Sequence, residues 1–360
     1  MFEPVDGSSN TRLFGMIGIS IVSVLVLVLF GSSPKPLVLS TWNGVGQIAN
    51  PVAIVHDALA GSQPQLMITG AAEAAQAQPI AAGSLDEYNA GSKQIEQAAG
   101  GDIALYQRNL EQGGSLFYIV AILGDHTHLE VINADGATPG SDATGDTIWT
   151  DGGQHLQQVA AMAQAPYAAR DGMELLGALA YGFHGARTSN EGTVVANGTV
   201  LRVNPGRSAL CIRPDNRAEI GLYIPETAAT CAQAFGAGPV LMIDGRIANT
   251  AVQAETDQFL PFNPLGEDFV QLDWRKQVYD GSYPKTTFGI GTLADGRDFV
   301  VLAASYDARG MDVVAQLRAM GCSSAMGADD DTSTQMVWRG QPLVQRQVRS
   351  VPDAIGVYAR

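Results

Sequence analysis

The chain has 360 residues, 46% of them apolar by type, and its 21 basic against 36 acidic residues give a formal net charge of -15. The apolar fraction excludes a wholly disordered chain, and the acidic excess argues against nucleic acid as a partner because its phosphates would be repelled. Forty-one glycines without a three-residue period exclude a collagen-like chain.

The first predicted element is a membrane span. Residues 13–30 carry no charge, and as a helix they would extend about 27 Å, just enough to cross a hydrocarbon core. A cleaved signal peptide is the alternative, but the run is longer than the usual signal and Pro34 stands where cleavage would be awkward. A buried core helix is disfavoured because the segment has no polar face. We therefore predict a short tail over 1–12 and a transmembrane helix over 13–31, with the lipid bilayer as partner.

The flanking charges are nearly balanced, so they do not decide the orientation of the span. Because most of the chain follows it, we expect a single-pass protein with an extracytoplasmic C-terminal domain, in a cell envelope or virion membrane. Residues 32–100 are rich in Ala, Gly, Gln and Ser, which is typical of a stalk. A single domain is predicted over 101–360.

Within that domain the sequence alternates short apolar runs with turn signals. A hairpin is predicted around Gly124-Asp125, and helices near Gln154–Gln164, Asp171–Tyr181 and Gly310–Met320. Further hairpin turns are predicted at Asn197-Gly198, Pro214–Arg217, Asp244-Gly245 and Asp295-Gly296. The predicted fold class is α+β, an antiparallel-strand-rich single domain with inserted helices.

The three cysteines and two alternating histidines leave alternatives open. Cys211 and Cys231 could form a disulfide in an oxidising compartment and leave Cys322 free, or all three could be small buried residues. His126 and His128 would point to one face of a strand, where they could be a metal pair or part of a surface hairpin.

A series of motifs runs from Gln154 to Arg360 in a recognisable order. It includes the segments ALAYGFHG (Ala178–Gly185), GAGPVLMIDG (Gly236–Gly245), PKTTFGIG (Pro284–Gly291), GCSSAMGADDDTST (Gly321–Thr334) and RSVPDAIGV (Arg349–Val357). In order and spacing this half of the chain resembles the phosphodiester glycosidase family. The resemblance implies the fold of that family and an activity on sugar phosphodiesters.

The chain departs from the family pattern at the expected site. The Asn-Gly-Gly of the family is Tyr181-Gly182 here, its Arg before Thr is Lys285, and its late Asn is Asp353. Its Asp-Gly-Gly-Gly-Ser is Asp329-Asp330-Asp331-Thr332-Ser333, which keeps the Asp and the Ser. Because aspartate is costly where the backbone needs a positive φ, we expect this turn to be rebuilt.

Cleavage at an anomeric carbon passes through an oxocarbenium-like state and here expels a phosphate. Such a site needs a carboxylate near the sugar and cations or N–H donors near the phosphate. We predict Asp329 as nucleophile or base, Lys285 and Arg349 as phosphate ligands, and Thr286 and Ser333 as hydrogen-bond donors. The predicted substrate-binding residues are Gly238, Asp244, His184 and Thr287.

The three successive aspartates allow three interpretations. They could place carboxylates at the reaction centre, form a solvated acidic loop, or hold a divalent cation such as calcium through Asp330 and Asp331. The sequence thus favours a membrane-anchored glycosidase acting on sugar phosphodiesters of envelope or cell-wall glycans. The alternative is a catalytically inactive glycan-binding or structural envelope or virion protein with the same fold.

Overall fold

The fold consists of three β-sheets whose inner faces share one hydrophobic core. This computed structural model describes residues 85–111, 114–137, 140–141, 147–148, 155–184, 191–252, 254–268, 278–345 and 349–360. The predicted tail and membrane span, and the stalk as far as residue 84, lie outside these ranges. Within them, no helix is both long enough and apolar enough to cross a membrane.

The first sheet has nine strands. In spatial order they are β1 (Lys93–Ala98), β2 (Ile103–Asn109), β3 (Ser115–Ile122), β17 (Asp298–Ala308), β16 (Tyr283–Thr292), β18 (Ser324–Gly327), β13 (Val240–Ile243), β14 (Arg246–Ala248) and β15 (Phe259–Leu260). All neighbours pair antiparallel except β14 and β15, which are parallel. Its two long central strands, β16 and β17, form a hairpin whose open end lies near Lys285.

The other two sheets have five strands each. The second sheet has the order β11 (Ala218–Leu222), β10 (Ser208–Ile212), β12 (Gln233–Gly236), β8 (Val194–Ala196) and β9 (Thr199–Arg202). The third has the order β20 (Gln341–Gln345), β19 (Gln335–Trp338), β7 (Glu174–Ala180), β21 (Asp353–Ala359) and β4 (Thr127–Asn133). A short ribbon pairs β5 (Gly140–Ser141) with β6 (Thr147–Ile148).

Alternation along the strands divides the apolar side chains between the shared core and an outer layer on each sheet. The shared core takes residues from all three sheets, such as Phe288, Phe235 and Ile355. The outer layers contain helix α4 (Gly310–Ala319) on the first sheet, α3 (Pro225–Ala228) on the second and α2 (Val159–Gln164) on the third. A one-turn helix, α1 (Leu85–Tyr88), precedes β1.

Most of the predicted turns and one predicted helix are confirmed. The hairpins at Asn197-Gly198, Asp244-Gly245 and Asp295-Gly296 are present, as is the hairpin at Pro214–Arg217. In helix α4, Val314 and Leu317 are buried and Met311 is partly buried, as the helical pattern predicts, and Val313 is buried as well. The helix is followed by Gly321 with a positive φ, also as predicted. Near Gln154–Gln164 the helix is shorter than predicted and begins at Val159.

The prediction of a helix over Asp171–Tyr181 is wrong. Glu174–Ala180 is strand β7, which lies between β19 and β21 in the third sheet. Leu176 and Leu179 face the shared core, while Ala178 and Ala180 face the layer that contains α2. Because both faces are buried, the strand is apolar throughout, and periodicity cannot distinguish such a run from a buried helix.

The predicted hairpin around Gly124-Asp125 is also wrong, although both of its strands exist. Strand β3 pairs with β2 and β17 in the first sheet, whereas β4 pairs with β21 in the third. The turn therefore carries the chain from one sheet to another, and only Gly124 and Thr127 form a bridge across it. A two-residue turn signal does not reveal that a strand's better partner lies elsewhere in the sequence.

Two further points refine the predicted organisation. Strand β1 lies within the predicted stalk and pairs with β2, so the first sheet begins before residue 101. The described fold is a sheet-rich single domain with few helices, of which only α4 exceeds six residues. Mostly β therefore describes it better than α+β.

A disulfide joins Cys211 of β10 to Cys231, which follows α3, and Cys322 is free and buried. Both bonded cysteines belong to the outer layer of the second sheet. The disulfide therefore fixes the short helix α3 to the outer face of that sheet.

A buried carboxylate connects the second and third sheets. Glu130 of β4 accepts hydrogen bonds at 2.8 Å from Arg170 and from Asn197, which lies in the turn between β8 and β9. His128 lies 3.3 Å from the same carboxylate and so belongs to a structural cluster. Burial alone would raise the pKa of Glu130, but these hydrogen bonds and the charge of Arg170 outweigh it and lower the pKa to about 2.

We expect Glu130→Gln to lower the free energy of unfolding at neutral pH by about 2–3 kcal/mol, because the depressed pKa means that the ionised form stabilises the fold. This contribution is fully present above the unfolded pKa of about 4.5 and is lost as the pH falls towards 2. Urea unfolding of both proteins across that range measures it. Glu174→Gln, which removes an exposed carboxylate, is the control and should cost under about 1 kcal/mol. A difference that does not depend on pH would contradict the assignment.

Candidate functional site

The candidate site lies where strand ends of the three sheets meet. After β18 ends at Gly327, the chain crosses from the first sheet to β19 of the third through residues 328–334. Asp329 on this crossing donates its backbone N–H to the carbonyl of Tyr181, 2.9 Å away, just beyond β7. The predicted carboxylate is thereby held between two sheets.

A second crossing runs beside the first. Between β12 and β13 the chain passes from the second sheet to the first through Gly238 and Pro239, which are joined by a cis peptide bond. Gly238 has a φ of +94° and donates its N–H to Gly327, and Gly327 donates to Pro239, at 3.0 and 2.8 Å. Gly238 thus lies beside the Asp329 crossing, and its positive φ requires a glycine.

Asp329 and His184 face each other within the site. The Asp329 side chain is largely buried, and its Oδ2 lies 3.6 Å from Nδ1 of His184. Its Oδ1 accepts the backbone N–H of Asp330 at 3.1 Å. Among the described residues, Oδ2 of Asp329 and Nδ1 of His184 have no hydrogen-bond partner. The two predicted residues therefore come together as polar groups that a ligand or water could bridge.

Lys285 and Asp330 form a buried ion pair. The Nζ of Lys285 lies 3.3 Å from Oδ2 of Asp330, with side-chain exposures of 2% and 12%. Burial lowers the pKa of Lys285 in spite of the charge of Asp330. Burial also raises the pKa of Asp330, against the attraction of Lys285 and with the repulsion of Asp329.

Tyr283 supports this ion pair on the side of β16. Its ring centroid lies 3.2 Å from Nζ of Lys285, a cation–π contact, and its side chain hydrogen-bonds Asp330. Burial and the charge of Asp330 raise the pKa of Tyr283, so the hydroxyl stays protonated. Tyr283 thus contacts both charged groups at once.

Arg349 approaches the same site from the segment before β21. It is exposed, and its Nη2 donates to the carbonyl of His184 at 3.4 Å. Its backbone N–H donates to Thr332 on the Asp329 crossing. The predicted residues Asp329, His184 and Arg349 are therefore linked in turn by contacts, and Lys285 joins them through Asp330.

The predicted hydroxyl donors lie behind the site. Thr286 Oγ1 donates to Thr334 Oγ1 at 3.3 Å, and both residues are buried. Thr287 is buried in β16 opposite Gly327, and Ser333 has no exposed surface. Because these residues are covered, they support the crossing, and a substrate would reach them only after a rearrangement.

The structure does not bring Asp244 into this set. Asp244 is exposed in the turn between β13 and β14, and its neighbour Gly245 donates to Ser323 just before β18. Asp329 follows the other end of β18, so the strand separates the two carboxylates. The positive φ of Asp244 identifies it as a turn residue.

The described residues also do not support the predicted calcium site. Asp331 is exposed and begins a 3₁₀ turn over Asp331–Ser333, while Asp330 is paired with Lys285. In the part of the chain that the structure describes, no group of three or more His, Cys, Asp or Glu side chains could hold a metal ion. Three successive carboxylates point in different directions, which their spacing alone could not show.

The sequence prediction missed Arg207. This residue is largely buried, its Nη2 lies 3.1 Å from Glu191, and its guanidinium lies 5.2 Å from the Phe183 ring centroid. Burial lowers the pKa of Arg207, while the charges of Glu191, Glu267 and Asp329 oppose that effect. Arg207 precedes β10 and Glu191 precedes β8, so only the three-dimensional fold shows that they belong near Asp329.

The fold is a mostly β domain whose described site holds a buried carboxylate, a histidine and a buried ion pair. Residues 173–358 match the family model for phosphodiester glycosidases, which is more than half of the chain. The chain therefore belongs to the phosphodiester glycosidase family, as the motifs predict. No curated protein sequence matches it.

Two solved structures are similar to the chain. One is a hypothetical protein from Synechocystis, with a TM-score of 0.54 and 14% identity. The match covers 75% of this chain and 64% of the Synechocystis chain. The other is the catalytic domain of zebrafish N-acetylglucosamine-1-phosphodiester alpha-N-acetylglucosaminidase, auto-inhibited by its pro-peptide, with a TM-score of 0.50, 12% identity and coverage of 75% and 89%. This chain thus spans less than two thirds of the Synechocystis protein. At these identities the similarity shows the fold alone.

We expect Lys285→Ala to destabilise the fold by about 3–5 kcal/mol, because it leaves the buried Asp330 carboxylate without its cation. The double variant Lys285→Met with Asp330→Asn removes both charges and should cost less than the single change. Urea unfolding of the full chain in detergent measures the two losses. The single variants Lys285→Met and Asp330→Asn complete the cycle. If the double variant loses as much free energy of unfolding as these two variants together, the side chains do not interact as a pair.

Proposed function

We propose that this protein hydrolyses the bond between a sugar and a phosphodiester. The observation that carries the proposal is the position of Asp329, whose backbone is fixed by Tyr181 and whose Oδ2 faces His184 beside Arg349. The family to which the chain belongs is named for the same reaction. The zebrafish enzyme with this fold acts, by its name, on an N-acetylglucosamine 1-phosphodiester, and we take a substrate of that class for this chain.

In this reaction the bond between the anomeric carbon and the phosphate oxygen breaks, and the electron pair leaves with the oxygen. Water supplies the hydroxyl group of the released sugar. If Asp329 attacks the anomeric carbon first, the configuration at that carbon is retained. If Asp329 instead takes the proton of the attacking water, the configuration is inverted. Because phosphate leaves readily, the exposed guanidinium of Arg349 can stabilise the departing charge without a strong general acid.

The proposed setting is a cell envelope or virion membrane, with the domain outside the cytoplasm and glycans as substrate. Two observations support it. The uncharged segment 13–30 is long enough for a membrane anchor. The disulfide between Cys211 and Cys231 is typical of proteins in oxidising compartments.

We expect Asp329→Asn to lower the rate of sugar release by at least about a hundredfold, because the amide can neither attack carbon nor accept the proton. The measurement uses the full chain in detergent with a panel of sugar 1-phosphodiesters, beginning with N-acetylglucosamine. Asp295→Asn is the matched control. It removes a carboxylate from the exposed turn at the far end of the β16–β17 hairpin and should leave the rate unchanged.

The result also decides between the two functions that the sequence allows. Turnover that survives Asp329→Asn would mean that another group performs the chemistry. Glycan binding without release of sugar would favour the inactive, glycan-binding alternative. The observation that favours this second function is the loop itself, in which Asp330 and Asp331 stand where the family has glycines.

The proposed topology predicts that protease added to intact cells or particles containing the full chain will cleave the domain over 101–360. An extracytoplasmic domain is accessible to the protease, whereas a domain behind the membrane is protected. Immunoblotting of the remaining fragments measures the cleavage, with detergent-lysed samples as the control. Protection that is lost only after lysis would overturn the proposed orientation.

A further inference from the structure

The cation at the start of β16 is screened from the site by a carboxylate. Lys285 is 2% exposed and Asp330 is 12% exposed, so the carboxylate is the more accessible member of their 3.3 Å pair. Tyr283 contacts both groups, and Asp330 also donates its N–H to Asp329 and accepts the N–H of Ser333 through its carbonyl. The carboxylate is therefore held in place rather than free to swing away.

Among the described residues, two other cations lie near Asp329, and they differ in how their charge is balanced. Arg207 is largely buried and lies 3.1 Å from the carboxylate of Glu191. Arg349 is exposed, and the described hydrogen bond of its guanidinium runs to the backbone carbonyl of His184, which has no formal charge. Within the described ranges, Arg349 is thus the accessible cation near Asp329, and its hydrogen-bond partner does not compensate its charge.

We propose that Asp330 determines specificity by neutralising Lys285, so that the site accepts a singly charged phosphodiester and rejects a doubly charged phosphomonoester. The inference deepens the proposed function and rests on it for the substrate. A monoanion matches the one accessible positive charge that the described part of the site offers, that of Arg349. A dianion places its second charge near the carboxylates of Asp330 and Asp329, where like charges repel.

This discrimination separates the substrate from its product. Hydrolysis at the anomeric carbon converts a phosphodiester with one negative charge into a phosphomonoester, which gains a second charge when its proton leaves to solvent. Asp330 therefore weakens binding of the product relative to the substrate. In a site where Lys285 was unscreened, the product would bind more tightly than the substrate and inhibit turnover.

The test measures binding of two sugar-free probes, inorganic phosphate and dimethyl phosphate, by calorimetry at about pH 7. At that pH a substantial fraction of the phosphate is a dianion, and Lys285, whose pKa is lowered by burial, keeps more of its charge than at higher pH. The full chain in detergent should bind dimethyl phosphate at least as tightly as inorganic phosphate. Tighter binding of the dianion by the unmodified protein would overturn the proposal without any variant. Binding of neither probe by the unmodified protein would also overturn the proposal, because it requires the site to accept a monoanion.

Asp330→Asn removes the charge and keeps the size of the side chain. We expect inorganic phosphate to bind at least about tenfold more tightly to this variant and dimethyl phosphate about threefold, because the gain in free energy scales with the charge of the ligand. Adding Lys285→Gln to Asp330→Asn should abolish both gains. Asp295→Asn, which removes one carboxylate at the far end of β16, should change neither affinity.

The proposal fails if folded Asp330→Asn, checked by circular dichroism, binds phosphate no more tightly than the unmodified chain. It also fails if both probes gain equally, since that result would indicate a steric effect. Neither result depends on turnover. If the unmodified chain releases no sugar but Asp330→Asn binds phosphate more tightly, only the proposed reaction is overturned. If the unmodified chain releases sugar but Asp330→Asn shows no gain in phosphate binding, only the role of Asp330 is overturned.

Discussion

The site depends on a small set of backbone hydrogen bonds that fix two chain crossings against each other. Gly327 exchanges hydrogen bonds with the Gly238–Pro239 segment, and Asp329 donates to Tyr181. These bonds connect the first sheet to the crossing from the second sheet and to the end of β7 in the third. Because each sheet also contributes to the shared core, a shift of one sheet would move Asp329 relative to His184. The chemistry is therefore positioned by the sheets and not by a flexible loop.

Local sequence signals predicted the parts of the fold that depend on local physics. The turn at Asn197-Gly198 has positive φ at both residues, which these residue types tolerate, and the turn forms a hairpin. Strand partners could not be predicted in this way, because β17, one of the two partners of β3, and both partners of β7 lie far away in the sequence. The run over Glu174–Ala180 is apolar throughout because both faces of the strand are buried. That burial arises only when the sheets assemble, so the sequence pattern does not distinguish this strand from a buried helix.

The site shows the same division. Asp329, Lys285 and Arg349 could be predicted because the family motifs mark their positions, and the structure brings them together with His184. Arg207 could not, since its relation to Asp329 arises only from packing of the second sheet against the first. The sequence also could not predict which of the three successive aspartates face the interior and which face solvent. Asp330 is extended and paired, whereas Asp331 has a φ of +54° and faces solvent.

Two differences from the family pattern, the aspartates in the loop after Asp329 and the lysine in β16, are physically related. Where the family has glycines, aspartate at Asp331 adopts the left-handed conformation that this residue type tolerates better than most. Asp330 then brings a negative charge next to Lys285, whose compact ammonium fits between one carboxylate and the face of Tyr283. An arginine would present a planar fork that is best satisfied by two acceptor oxygens of one carboxylate or phosphate, a geometry that the compact ammonium does not need. Lysine in place of arginine, and aspartate in place of glycine, are thus complementary, and Arg349 is left as the accessible cation among the described residues around Asp329.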